Sequence, residues 1–458
     1  MGISKDLAEY CSRLTFRQLP EEVIDRVKYR FLDFIGVTCR GSREDSSQTV
    51  YRFVKDMGQG EGVMVGTRKK APYLYAALAN GTASHAIEMD DVNNEASLHP
   101  GVVVFPSALA TSEMMRACGE AFIVGVVLGY EVMVRLGKAL GPENSYKRGF
   151  HPTGTCGTFG SSVTCSKILG LQEEGVLNAL GISGSQAAGS MEYLAQGAWT
   201  KRFHAGWAAH SGMMAALLSK KGFEGPSSIL EGRDGFFHAY SNEADPSKVL
   251  EGMGSRFEIL RTSVKPHACC RYMQPPIDAV LKIAKENNLR PEQVEKIRLG
   301  LLRAGAHLIA DPMEKKYHPQ SIVDAQFSMP FGAAVALLYG KAGVEEFQVG
   351  VIQSQPLREI MRKVECVVDP ELELTFPRQW RGTAEIVTNN GKSYSATVEY
   401  PKGDPENPLS WEEMTERFHD LAGQMMKKEQ RLRIFEEVRR LENVKDLRKW
   451  SPLLLRKP

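Results

Sequence analysis

At 458 residues the chain exceeds one ordinary core, so two or three domains, or one large helical body with a smaller companion, are expected at about 150 residues per domain. Hydrophobic residues at 43% and charged residues at 24% are those of a globular protein and exclude long disordered segments. A net charge of +2 supplies no field suited to nucleic acid or an anionic membrane surface, so neither partner is expected.

In chain order, the opening MGISKDLAEY lacks the charged-then-apolar order of a signal peptide and the arginine richness of a transit peptide. Asp6 also stands where an acylation signal wants Ser or Thr, and a cytoplasmic protein is the expectation. Pro20-Glu21-Glu22 opens a periodic helix that ends near Gly41. The segments Tyr73 to Ala86, Ser107 to Ala117 and Thr155 to Leu169 are rich in Ala, Gly and Ser, which lets helices approach closely in a tight bundle. The apolar run Ala121 to Tyr130 is half the ~20 residues of a membrane span, and Glu120 and Glu131 bracket it, so it reads as a buried helix. After Thr262 the texture changes. Strand-like alternation appears from Val294 and from Ala384 to Tyr400, where Asn390-Gly391 signals a hairpin, and Ile322 to Leu338 reads as a helix between them. Helices resume at Ser410, an N-cap with Glu413 at the capping-box position.

The chemistry-bearing residues fall in four segments. Between Gly81 and Pro106 a polar island of Asp90, Asp91, Glu95 and His99 interrupts apolar, small-residue runs, which is costly to bury for packing alone. Asp91 and His99 are eight residues apart, so cooperation requires a loop that folds back, as Asn93-Asn94 and Pro100-Gly101 suggest; a capped helix and a simple turn are the competing reading. His151 precedes a helix whose Gly154, Gly157 and Gly160 superficially match a phosphate loop but lack its Gly-Lys-Ser/Thr ending, so close helix packing explains them better. Lys201 and His204 are three apart in the first turn of a helix, where anions are favoured and an imidazole pKa is lowered, although the pair alone also fits a solvated basic turn. Lys265, Cys270 and Arg271 lie where the texture changes, and their cations suit incoming carboxylates or, alternatively, a charged linker. Eight scattered cysteines without a C-x-x-C pair argue against a zinc knuckle, an iron-sulfur cluster and a disulfide scaffold, and no metal is expected.

In combination, NGTASHAIEMDD, LHPGVVVFPSALA, GFHPTGTCGTFG, GSQAAGSMEYLAQGAWTKRFHAGWAAHSG, VKPHACCRYMQPPIDA, DAQFSMPFGAAVAL and GDPENPLSWEEMTERF resemble the MmgE/PrpD family nearly end to end. Members of that family include 2-methylcitrate dehydratase, cis-aconitate decarboxylase and iminodisuccinate epimerase. The resemblance implies a mainly α protein, with a large all-helical domain from both chain ends (residues 1–262 and 405–458) and an inserted smaller α+β lid domain (263–404). It also implies a homodimer and a cofactor-independent site for a small polycarboxylate, with Asp91, His99, His151, Lys201 and His204 as catalytic residues and Lys265 on the substrate side, where the neighbouring Cys270 and Arg271 are taken as further substrate-binding candidates. Dehydration of a 2-methylcitrate-like hydroxy polycarboxylate is the expected reaction, with epimerisation of a substrate such as iminodisuccinate or a non-catalytic carboxylate-binding role as alternatives. This chain departs from the family in two places. Many members read Asp-Asp-Thr-His where it reads Asp90-Asp91-Val92-Asn93, and the decarboxylases carry a histidine near the position of Cys270.

Overall fold

The computed structural model describes residues 2–457. Helices dominate and the sheets are small, so the mainly α expectation holds. The chain divides into two units, one formed by the residues up to Tyr193, by 199–262 and by those from Ser410 on, the other by 194–198 and 263–409.

In the larger unit the helices that carry the argument are α1 (Glu21–Gly41), α2 (Tyr73–Ser84), α3 (Gly101–Met115), α4 (Gly119–Leu140), α5 (Pro152–Ile168) and α6 (Thr200–Lys220). α4 is buried along nearly its whole length; Phe122, Leu128 and Val132 are fully enclosed, and its buried charges are paired, Arg135 with Glu131 at 2.9 Å. Phe31 of α1 anchors the core, its ring 5.4 Å from Phe105 and 4.9 Å from Phe122. Small residues set the close helix crossings. A Cβ on Gly81 of α2 would lie 2.7 Å from the Cα of Gly206 on α6, so only glycine permits this approach. The same holds for Gly160, whose Cβ would meet the Gly129 carbonyl at 2.9 Å, and helix packing rather than phosphate binding accounts for the glycines of α5. A two-residue ladder, Gly62–Val63 with Lys70–Ala71, makes this unit not wholly helical. Among the described residues no helix is long and apolar enough to cross a membrane.

The smaller unit is α+β. Its sheet has the order β2-β1-β3-β4, built from β1 (Val294–Leu301), β2 (Val364–Val368), β3 (Gly382–Thr388) and β4 (Ser393–Val398). β1 and β2 are parallel, with Ile297 opposite Val364, and the remaining pairs are antiparallel. Alternate residues of β3 are buried, and Gln274–Glu286 (α7) covers them with Ile277, Val280 and Ile283. The expected helix over Ile322 to Leu338 is two helices, Ile322–Gln326 and Met329–Tyr339 (α8), because Ser328 caps the second and Pro330 occupies its first turn. Ser410 and Glu413 form the expected capping box on Trp411–Ala422 (α9).

Candidate active site

The Gly81/Gly206 crossing brings the C-terminal end of α2 beside the N-terminal turn of α6. His85 caps α2 one turn past Gly81, while Lys201 and His204 lie within about a turn and a half before Gly206. From His85 the chain passes through Glu88 and Ser97, two non-glycine residues held at φ of 56° and 47°. Such conformations are costly and persist only where the surroundings impose them. An antiparallel bridge between Asn93 and Leu98 folds the loop back, with Asn93 N donating to Leu98 O at 2.9 Å. Asn93 is used up in this turn, since its Oδ1 accepts from Ala96 N at 3.0 Å and its Nδ2 donates to Arg261 O at 3.2 Å.

The fold-back places His99 on the aspartate pair. Its Nδ1 lies 2.8 Å from the Asp90 carboxylate and 2.8 Å from the Asp91 carbonyl oxygen. Both are acceptors, so Nδ1 carries the proton and Nε2 is the basic nitrogen. The same Asp90 oxygen accepts from His85 Nδ1 at 3.0 Å. Asp91 directs its carboxylate elsewhere, accepting from Gly101 N at 2.8 Å and from the Tyr130 hydroxyl at 2.5 Å. Burial raises the Asp91 pKa to about 6 against the opposing pull of Arg30, Tyr130 and Gly101. Behind the aspartates lies a chamber of about 10 Å³, the size of one water, lined by Arg30, Asp33, Asp90 and Asp91 among others. Ligand atoms of His85, Asp90 and His99 fall within 4.8 Å of one another, near enough to hold a metal ion, but their mutual hydrogen bonds also satisfy that geometry.

Lys201 is 6% exposed and forms a buried ion pair with Glu88. His151 and His204 meet Nδ1 to Nδ1 at 3.2 Å, so one donates and the other accepts, and the pair presents one N–H and one lone pair on its outer nitrogens. Burial, then neighbouring positive groups including Lys201, lowers the His204 pKa to about 4 and holds that of His151 well below the usual histidine range. Four imidazoles thus share one neighbourhood, the His85 ring lying 4.8 Å from that of His99 and 6.0 Å from the nearly parallel ring of His151.

The structure therefore gathers Asp91, His99, His151, Lys201 and His204, and gives places to residues that the sequence reading left without a role. Asp90 rather than Asp91 presents its carboxylate to His99, Glu88 pairs with Lys201, Tyr130 buttresses Asp91, and His85 is fully buried beside them. The one available signal was the succession His85, Glu88, Asp90 in an otherwise apolar stretch. In the smaller unit Lys265 is fully buried and Cys270 nearly so. Arg271 bonds both Asp404 oxygens at 2.7 and 2.9 Å and lies 5.4 Å from the Trp380 ring centre, so its charge is engaged within its own unit. Gln274 holds the intervening turn through the carbonyls of His267 and Cys269, which makes the segment a fixed part of the unit rather than a charged linker.

Fold and site together define a mainly α protein whose buried chemistry consists of carboxylate-anchored imidazoles and a lysine. Residues 5–248 match the MmgE/PrpD N-terminal domain and residues 267–443 the MmgE/PrpD C-terminal domain. The chain belongs to the MmgE/PrpD family. It is 27% identical over 477 residues to a cis-aconitate decarboxylase of Aspergillus terreus (strain NIH 2624 / FGSC A1156), covering 99% of this chain and 95% of that one. The cis-aconitate decarboxylases of Mus musculus (27% over 470 residues) and Homo sapiens (26% over 466 residues) align over 99% of this chain and 93% and 94% of theirs.

Proposed function

We propose that this protein is a lyase that dehydrates a 2-methylcitrate-like hydroxy polycarboxylate by abstracting a proton next to a carboxylate. The lyase class and the polycarboxylate substrate are supported by the family and by the decarboxylase relatives. The observation that carries the reading is the double acceptor on His99 Nδ1, which presents Nε2 as a general base and leaves Asp90 to stabilise the imidazolium that forms. Removing such a proton builds negative charge on a group already anionic, so cations and donors must surround it. Lys201 supplies a positive charge and the proton that leaves with the hydroxide, becoming a neutral amine, while the neutral His151–His204 pair supplies an N–H that hydrogen-bonds the departing oxygen.

Decarboxylation of cis-aconitate is the second reading, favoured by the named relatives. There the same residues would deliver a proton to carbon rather than remove one. Proton NMR in D₂O separates these possibilities. A new vinyl signal from citrate, or conversion of the 2-methylcitrate methyl signal to a downfield allylic singlet, supports dehydration, and CO₂ release from cis-aconitate replaces it with decarboxylation. Exchange of the α-proton without vinyl signals, tested on iminodisuccinate as well, indicates epimerisation. Binding without any of these changes indicates a carboxylate-binding homologue. The proposal includes a homodimer, supported by the exposed rings of Phe53 and Phe203, which a run of ring contacts through Tyr75, His210 and Trp207 joins; light scattering tests it.

A further inference from the structure

His85 belongs to no part of the mechanism above, yet it is fully buried at the centre of the histidine group. Its Nδ1 faces a carboxylate oxygen, which can only accept, so Nδ1 bears the proton and Nε2 bears the lone pair. That nitrogen is buried and has no hydrogen-bond partner among the described residues. A buried acceptor left unsatisfied is costly, and such groups in native proteins are met by a donor in the working state. Satisfying it from within is difficult: the Asp90 bond fixes the ring, and the His99 and His151 rings bound it at 4.8 and 6.0 Å. A donor carried by the ligand would satisfy it. A fully ionised polycarboxylate has acceptors only, whereas a hydroxy polycarboxylate has one O–H.

We infer that His85 Nε2 is the acceptor for the substrate hydroxyl, and so the residue that distinguishes a hydroxy polycarboxylate from its deoxy counterpart. This rests on the proposal that the site takes a hydroxy polycarboxylate. It adds a contact the base does not need. His99 acts on carbon, whereas His85 reads the oxygen that leaves.

The test compares citrate with propane-1,2,3-tricarboxylate, which differs from it only by lacking the hydroxyl, in calorimetric titrations of the full chain. One hydrogen bond to a buried acceptor corresponds to about a tenfold preference for citrate in the unsubstituted protein. His85→Asn places its amide nitrogen near Nδ1, keeping the Asp90 bond while deleting Nε2, and should bring the two affinities to parity. His85→Gln places an amide oxygen near Nε2 and should keep the preference. A tenfold preference that survives in H85N overturns the assignment while leaving the function standing. Failure of the unsubstituted protein to bind either tricarboxylate overturns both. Should H85N not fold, nitrogen-15 spectra of histidine-labelled protein decide: an unprotonated ring nitrogen absent from the H85Q spectrum must shift with citrate and not with the deoxy compound. Equal shifts with both would refute the role.

Discussion

Asp90→Asn isolates what the carboxylate under His99 contributes. The substitution keeps the shape of a side chain that is 1% exposed and removes the charge that accepts from both His85 and His99. A hydrogen bond to a charged group contributes about 2 kcal/mol, equivalent to roughly a 30-fold loss in kcat if the bond tightens as His99 becomes cationic. Were Asp90 the sole determinant of the tautomer, the loss would approach the roughly 10⁴-fold seen when a buried aspartate is neutralised in a catalytic triad. The Asp91 carbonyl, 2.8 Å from the same nitrogen, makes the smaller figure the expected one, because it still requires a proton on Nδ1. The control is Asp91→Asn, whose carboxylate serves Gly101 and Tyr130 instead. It should lower Tm by a few degrees and change kcat less than D90N does. The assay is the ultraviolet absorbance of the forming double bond, run beside thermal unfolding of each variant. If D91N matches D90N in lost kcat while its Tm is unchanged, the chemistry runs through Asp91 and the division of roles argued here is wrong.

Lys201→Met should abolish turnover and destabilise the protein by about 3 kcal/mol, because buried Glu88 loses its lysine partner. Adding Glu88→Gln should restore most of the lost Tm without restoring activity; recovery of both would reduce the pair to a structural one. Gly101→Ala should lower Tm despite alanine's better helix propensity, since its Cβ would lie 2.7 Å from the Asp91 carboxylate and 2.8 Å from the Tyr130 hydroxyl; an unchanged Tm contradicts that geometry. His204, with its pKa lowered to about 4 by burial and positive neighbours, takes up its proton in the unfolded chain first. Its contribution is therefore present at neutral pH and is lost as pH falls from about 6.5 to about 4, by roughly 3 kcal/mol at most; urea titrations of His204→Gln should show a shallower acid slope in that window. Thorough chelation should leave activity intact, and loss restored by added metal would make His85, Asp90 and His99 ligands.

Much of the helical frame was legible in the chain because its signals are local. The helix from Glu21 to Gly41 follows from a proline before it and a periodic apolar face within it, and that from Trp411 from its capping box. Ser328 and Pro330 carried an equally local signal, and the break they impose between Gln326 and Met329 was hidden only by the continuous apolarity around it. Pairings set by tertiary approach were not legible. Glu88 and Lys201 are 113 residues apart, and what joins them is the Gly81/Gly206 crossing, whose meaning depends on which helices face each other.

The two aspartates show how a sequence can name a segment without naming the atom that meets the imidazole. Adjacent side chains leave the backbone in different directions, and nothing in the letters says which of Asp90 and Asp91 meets the imidazole. The left-handed turn at Glu88 settles it by rotating the chain entering the pair. Asp90 then faces His85 and His99, while Asp91 faces the start of α3 and reaches His99 only through its carbonyl. This division has a chemical consequence. Had both carboxylates converged on His99, their repulsion would have pushed one to take up a proton and blurred the base with its support. With Asp91 turned onto Gly101 and Tyr130, one charge serves two imidazoles, and on the proposed mechanism His99 becomes cationic against a fixed partner.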